Sequence, residues 1–240
     1  MEYNLEKLQH GLESLKLSFS DSQLEQLLLY YEMLVEKNKV MNLTAITDYE
    51  EVVEKHFLDS LSLCQVLDLQ KNSRILDLGT GAGFPGIPLK IAFPNLEMVL
   101  MDSLKKRVGF LEEVIRKLNL THIEAIHGRA EEMARKEIHR EGYDICVSRA
   151  VANLSSLCEY CLPFVKVGGV FVSYKSGEIE EELSKSKKAI QLLGGVKKKV
   201  YKFCLPNTEI SRSFVIIEKK NRTPKAFPRK AGTPSKEPLH

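Results

Sequence analysis

The sequence predicts an α/β protein in which a mostly parallel sheet, closed by an antiparallel edge hairpin, follows a helical N-terminal region. Three observations predict it. Apolar residues recur at spacings of three and four through residues 1–70, the period of a helix with one buried face. From Ser73 onward, short runs rich in Ile, Leu and Val alternate with amphipathic stretches, as expected for strands joined by crossover helices. The first of those runs ends in a cluster of glycines.

The elements follow in order. Leu5, Leu8, Leu12 and Leu15 mark a first helix, and Leu24, Leu27, Leu28, Tyr31, Leu34 and Val35 a second. The second should start at Ser20, because Phe19 and Ser20-Asp-Ser-Gln23 have the form of a hydrophobic staple and capping box. Another capping box, Thr47-Asp-Tyr-Glu50, opens a third helix running through His56 to about Asp68, with Asn42 to Thr47 as a loop before it. Strands are expected at Arg74 to Leu78, Glu97 to Asp102, Ile123 to His127, Tyr143 to Ser148 and Gly169 to Tyr174. Each is apolar enough to be covered on both faces. Between the second and third, Leu104, Val108, Leu111, Ile115 and Leu118 define an amphipathic helix. Val196 to Cys204 and Ser213 to Glu218 have no confident helix between them, so they read as the edge hairpin.

Composition narrows the function classes. Apolar residues are 43% of the chain and charged residues 28%, ordinary values for a folded globular protein. No apolar run approaches the ~18 residues that a membrane span requires. The first residues have neither a basic segment nor an apolar core with a cleavage site, so a cytoplasmic protein is expected. Five cysteines without tandem paired spacing make a poor disulfide or zinc framework, and no metal site is expected. The net charge of +3 is unevenly placed. Residues 219–240 carry seven Lys or Arg against one acid, and four prolines; they read as an unpacked basic tail, either solubilising or phosphate-binding.

The stretch Ile75 to Gly86 is the most informative. Its glycines let the backbone turn tightly and approach a ligand, and a helix then begins under Pro88. Gly81, Gly83 and Gly86 satisfy GxGxxG, a pattern shared by several nucleotide cofactors. Asp77 favours one of them: a carboxylate at the strand end would repel a pyrophosphate but attract the sulfonium of S-adenosylmethionine. Asp102, at the next strand end, is placed to accept ribose hydroxyls from either cofactor.

Asp77-Leu-Gly-Thr-Gly-Ala-Gly-Phe-Pro-Gly-Ile-Pro-Leu89, Met101-Asp-Ser-Leu-Lys-Lys-Arg107, Gly128-Arg-Ala-Glu131 and Ser148-Arg-Ala-Val-Ala152 together resemble the RsmG (GidB) family of 16S rRNA guanine-N7 methyltransferases. Asn42-Leu-Thr44 and His56-Phe-Leu-Asp-Ser60 also match that family's helical extension. The chain departs from it in having no Trp and in carrying Lys175-Ser-Gly177 in place of Lys-Gly. The resemblance implies a class I S-adenosylmethionine-dependent methyltransferase fold, with a helical extension over 1–70 and a methyltransferase domain over 71–220; the flexible basic tail over 221–240 lies outside it. It implies that Gly79 and Phe84 line the methionine end of the cofactor, Asp102, Ser103 and Leu104 the ribose and adenine, and Ala130 and Glu131 the adenine edge. The partner it implies is 16S ribosomal RNA at the 530 loop, as free RNA, small subunit or assembly intermediate, met by a monomer.

Guanine N7 has an in-plane lone pair, so its methylation needs no general base; holding donor and acceptor in line suffices. The candidate positioning groups are cations at strand ends: Arg129 after the third strand, Arg149 after the fourth, Lys175 after the fifth and Arg212 at the start of the last. Arg149 is expected between the methyl donor and the incoming base. His56 is expected to bond a neighbouring carboxylate such as Asp59. Asn42 and the cluster Lys197, Lys198 and Lys199 are further candidate RNA contacts. Two rival readings are a nicotinamide oxidoreductase, which the glycine pattern and Asp102 would also fit, and a non-catalytic RNA-binding assembly factor.

Overall fold

The computed structural model describes residues 3–149 and 152–239; Ala150 and Val151 of the Ser148 to Ala152 motif lie outside the described residues. The strands are β1 (Arg74–Leu78), β2 (Glu97–Asp102), β3 (Ile123–His127), β4 (Tyr143–Arg149), β5 (Val165–Ser176), β6 (Gly195–Cys204) and β7 (Ser211–Lys219). They form one sheet in the order β3-β2-β1-β4-β5-β7-β6. The first five are parallel; β7 runs antiparallel between β5 and β6. The expected edge hairpin is therefore present, with its second strand inserted inside its first. β5 begins earlier than its apolar run suggests, because Val165 pairs with Tyr143 before the register shifts at Ile145.

Alternation along the strands builds two cores. Ile75, Met98, Leu100, Ile145 and Val147 face one layer, and Leu76, Val99, Met101 and Cys146 the other. The first layer is covered by α1 (Glu6–Ser14) and α2 (Asp21–Met41), together with α3 (Tyr49–Val52), a π-helical segment Val53–Leu58, α4 (Asp59–Leu61) and a 3-10 turn Ser62–Gln65. The crossover helices α5 (Gly86–Ala92) and α6 (Lys105–Lys117) lie there too. Leu27, Leu34 and Phe57 are fully buried in it, each contributing about 1.5–3 kcal/mol of apolar burial. The second layer holds α7 (Ala130–Met133), α8 (Leu154–Cys161), α9 (Glu180–Lys185) and α10 (Lys187–Leu192), with Leu157, Cys158 and Cys161 buried against the sheet.

Local signals set the helix starts. Ser20 and Gln23 make both capping-box bonds at the head of α2. The third helix starts one residue later than expected: Asp48, rather than Thr47, accepts from the Glu51 N–H, while the Thr47 carbonyl accepts from Tyr31. It is also not uniform. The wider π turn leaves the Lys55 and His56 carbonyls to accept from the side chains of Arg149 and Ser60.

The C-terminal segment departs from the sequence expectation. It is packed against the second layer and ends in α11 (Thr233–Lys236). Arg140 donates to the Thr223 and Phe227 carbonyls, Thr223 to that of Leu193, and Ser156 to that of Pro234. Arg229 forms a two-pronged pair with Glu159, which is fully buried. Composition misled because Arg229 and the backbone carbonyls of the segment meet specific partners in the folded protein, although Arg222, Lys225, Lys230 and Lys236 remain exposed. No described helix is long and apolar enough to cross a membrane.

Candidate active site

Strand order reverses between β1 and β4, the point where open α/β sheets form a crevice outside the carboxyl ends of their strands. A cleft of about 550 Å³ lies there. The loop after β1 forms its floor and is clamped from three sides. Beneath it, Asp77 Oδ2 accepts from Thr80 Oγ1 at 2.7 Å and from the Gly86 N–H at 2.8 Å. Beside it, Asp102 Oδ2 accepts from the Gly81 N–H at 3.0 Å. From α2, the Tyr30 hydroxyl donates to the Ala82 carbonyl at 2.7 Å.

The three glycines of the pattern do different things. Gly81 has φ +62°, lines the cleft, and would carry a Cβ into open space, so a side chain there would fill the cradle. Gly83 does not line the cleft; its Cβ would meet the Tyr30 hydroxyl at 2.8 Å and Ile87 at 2.7 Å. Gly86 is needed for packing, its Cβ falling 2.2 Å from Leu100. Gly83 is thus corrected from ligand contact to loop packing.

Asp77 is corrected similarly. It is fully buried under the loop and does not line the cleft. Burial pushes its carboxyl up to about 6, against the lowering effects of its bonds to Thr80 and Gly86 and of Arg149. Its Oδ1 has no hydrogen-bond partner. Its visible work is anchoring the loop rather than facing a ligand.

Gly79, Phe84, Asp102, Ser103, Ala130 and Glu131 all line the cleft. Leu104 does not; it is 43% exposed at the head of α6. Asp102 Oδ1 accepts from the Leu104 N–H, so that residue contributes backbone. Carboxylates retain further acceptor capacity beyond these bonds. With apolar Leu78, Ala82, Met101 and Tyr160 around them, the walls fit a purine nucleoside whose hydroxyls and amino group need acceptors.

Across the cleft, the end near the helical layer holds Leu43, Thr44, His56, Phe84 and Arg149. The rings of His56 and Phe84 stack at 4.5 Å, and the Arg149 guanidinium lies 5.1 Å from the Phe84 ring centre. Arg149 does reach the cleft, and three of its contacts are to the wall: the Lys55 carbonyl at 3.0 Å and Asp59 Oδ2 at 2.9 Å from Nη1, and His56 Nδ1 at 3.2 Å from Nη2. These contacts brace the wall.

His56 Nδ1 lies 3.2 Å from Arg149 Nη2 and 3.1 Å from the Lys55 carbonyl, and its Nε2 lies 2.9 Å from Thr44 Oγ1, so both ring nitrogens have a partner in either neutral tautomer. Burial and Arg149 push His56 down to about 3. Asp59 is consequently not the partner of His56: it pairs with Arg149, and Arg212 Nε lies 3.3 Å from its other oxygen as an ion pair without hydrogen-bond geometry. Arg212 does adjoin the end of β5, opposite Ser176, but does not line the cleft.

Lys175 is held by Glu182 at 2.6 Å and the Ala152 carbonyl at 2.9 Å, and it too stays outside the cleft lining. Asn42 is the left-handed cap of α2, where Thr44 rather than Asn42 faces the cleft. Lys197, Lys198 and Lys199 are exposed on the outer strand β6, away from the cleft lining. Arg129 is exposed at the cleft rim and has no ion pair among the described residues.

The sequence reading missed Arg107, Tyr160, Gly232 and Ser235, all of which line the cleft. Arg107, 3.4 Å from Asp102, was within a quoted motif. The other three carry no local signal: Tyr160 projects from α8, and Gly232 and Ser235 meet the cleft only through packing of the C-terminal segment. No group of three or more His, Cys, Asp or Glu among the described residues could hold a metal.

Comparison with known proteins agrees with this architecture. The family described as rRNA small subunit methyltransferase G matches residues 23–212. A protein named Ribosomal RNA small subunit methyltransferase G from Lachnoclostridium phytofermentans is 55% identical over 95% of both chains. One of the same name from Alkaliphilus metalliredigens is 51% identical over 97% of both. Among solved structures, a SAM-dependent methyltransferase from Aquifex aeolicus superposes with a TM-score of 0.54 at 15% identity, covering 73% of this chain and 96% of its own.

Proposed function

The chain belongs to the rRNA small subunit methyltransferase G family, and from that premise we propose that it transfers a methyl group from S-adenosylmethionine to N7 of a guanine in the 530 loop of 16S ribosomal RNA. When bound, the cofactor supplies a methyl group made electrophilic by its positive sulfur. The rest of the chemistry belongs to this chain's residues. Gly81 leaves room for a ligand against the backbone, Asp102 and Ser103 offer acceptors to the ribose, and Ala130 and Glu131 border the adenine.

The observation that carries the N7 reading is the state of the groups at the acceptor end. His56 is neutral and both its ring nitrogens are engaged, Nε2 by Thr44 and Nδ1 by Arg149 and the Lys55 carbonyl. It is a wall, stacked on Phe84, and not a base. A lone-pair acceptor such as N7 needs none, so the protein's task is alignment in a rigid slot. Arg149 is a positioning residue, keeping His56 and Phe84 parallel. Arg129, with no ion pair among the described residues, is the better candidate for the base O6 or a phosphate.

We place the protein in the cytoplasm, acting as a monomer on small-subunit RNA, either mature or in assembly. Small-subunit RNA from cells lacking the gene should gain one N7-methylguanine per molecule when incubated with protein and S-adenosylmethionine, read by nucleoside mass spectrometry. An unchanged RNA mass with the cofactor bound would instead support an assembly factor; binding of NADH in place of S-adenosylhomocysteine would support an oxidoreductase.

A further inference from the structure

The cleft has a wall that lies beyond the residues matched to the family, which end at 212. After β7 the chain returns across α8, and Gly232 and Ser235 arrive at the same cleft as Gly81 and Asp102. Two contacts hold them there. The Gly232 N–H donates to Glu131 Oε1 at 2.8 Å. Arg229 clasps Glu159 by Nε at 3.0 Å, Nη2 at 2.7 Å and its backbone N–H at 2.7 Å. Glu159 is 0% exposed, and a carboxylate buried that far is tolerable only when paired. The clasp is therefore a latch that strongly favours the docked segment.

We propose that the C-terminal segment 222–239 is an integral part of the cofactor pocket, with Gly232 and Ser235 forming, beside Tyr160 and Glu131, the wall against the nucleoside end. This deepens the methyltransferase reading and rests on it. Glu131 makes the connection. Its Oε1 is fixed by the segment's Gly232 N–H while the residue itself faces the cleft, so docking of the segment and orientation of that carboxylate are one event. Linkage then requires reciprocity: a ligand held by the docked segment must stabilise the docking.

The test is calorimetry with S-adenosylhomocysteine on the full-length protein, joined to hydrogen exchange of residues 223–239. Ser235 is exposed, and its hydroxyl bond to the Gly232 carbonyl lies at the surface, so Ser235→Trp should leave the protein folded, with a ligand-free melting temperature within a few degrees of wild type, while narrowing the pocket. We expect affinity to fall about tenfold or more, the equivalent of ~1.4 kcal/mol. Arg229→Ala should show a similar loss; if it fails to fold, Ser235→Trp and the exchange measurement decide. Saturating ligand should slow exchange across the segment in the wild type. Wild-type affinity in Ser235→Trp, or a segment whose exchange ignores the ligand, overturns the proposal while leaving the methyltransferase reading intact. A wild-type protein that does not bind S-adenosylhomocysteine overturns that reading and the proposal with it.

Discussion

Replacing Asp77 by Asn should make the protein more stable at neutral pH, although the carboxylate anchors the glycine loop. Burial raises the folded-state value from the ordinary 3.8 to about 6. The unfolded chain thus loses its proton first as pH rises from about 4, while the folded one keeps it. Wild-type stability falls through that window and levels off above about 6, the full penalty being ~3 kcal/mol at about 1.4 kcal/mol per unit. Asn has no charge to bury, and its carbonyl can still accept from Thr80 and Gly86. The value of about 6 already includes the charge assistance of those bonds, so the net gain above pH 7 should approach ~3 kcal/mol and vanish below about pH 4, where the wild-type carboxyl is neutral too. His56 works in the opposite sense: held down to about 3, it confers stability that is complete above its unfolded value near 6.5 and lost as pH falls toward 3. That contribution is common to both proteins, so the difference between their urea denaturation curves from pH 4 to pH 8 isolates Asp77. A difference that does not change with pH, or an Asn variant less stable at pH 8, would refute the reasoning.

Three other perturbations follow from the site. Arg149→Ala strips a nearly buried Asp59 of its best partner and should cost about 3 kcal/mol, the low end for broken buried pairs because Arg212 remains nearby; chemical denaturation measures it, and lost methylation with unchanged stability would return Arg149 to the acceptor. Gly81→Val should reduce S-adenosylhomocysteine affinity more than about tenfold by filling the cradle and straining a positive φ, with the helical circular dichroism unchanged. Arg129→Ala should slow single-turnover methylation by ~1–3 kcal/mol of lost positioning and leave cofactor affinity alone; equal rates would make it a solvated rim charge.

Periodicity carried the fold well. β1 and β2 lie where their apolar runs lie, because a strand covered on both faces leaves no choice about which residues are apolar; β3, half-exposed at the sheet edge, also falls where expected. Strand ends correctly collected Asp102, Arg149 and Arg129 at one edge. What pattern could not supply was the partner of each charge. Arg149 and Lys175 are spent on Asp59 and Glu182, pairings settled by tertiary packing and invisible to spacing. The same blindness made residues 221–240 read as solvated, when the partner of Arg229 stands 70 positions upstream. Lys219, reckoned among the tail's cations, is wholly buried and donates to the Leu162 and Val165 carbonyls.

Residues lining the cleft run from Leu43 to Ser235 in a chain of 240. The walls of the cleft therefore meet only when the helical layer, the sheet and the segment after β7 have all packed. Cofactor affinity is by this arrangement a gauge of the fold as a whole: a lesion as remote from the glycine loop as the clasp of Arg229 on Glu159 is felt in the same pocket.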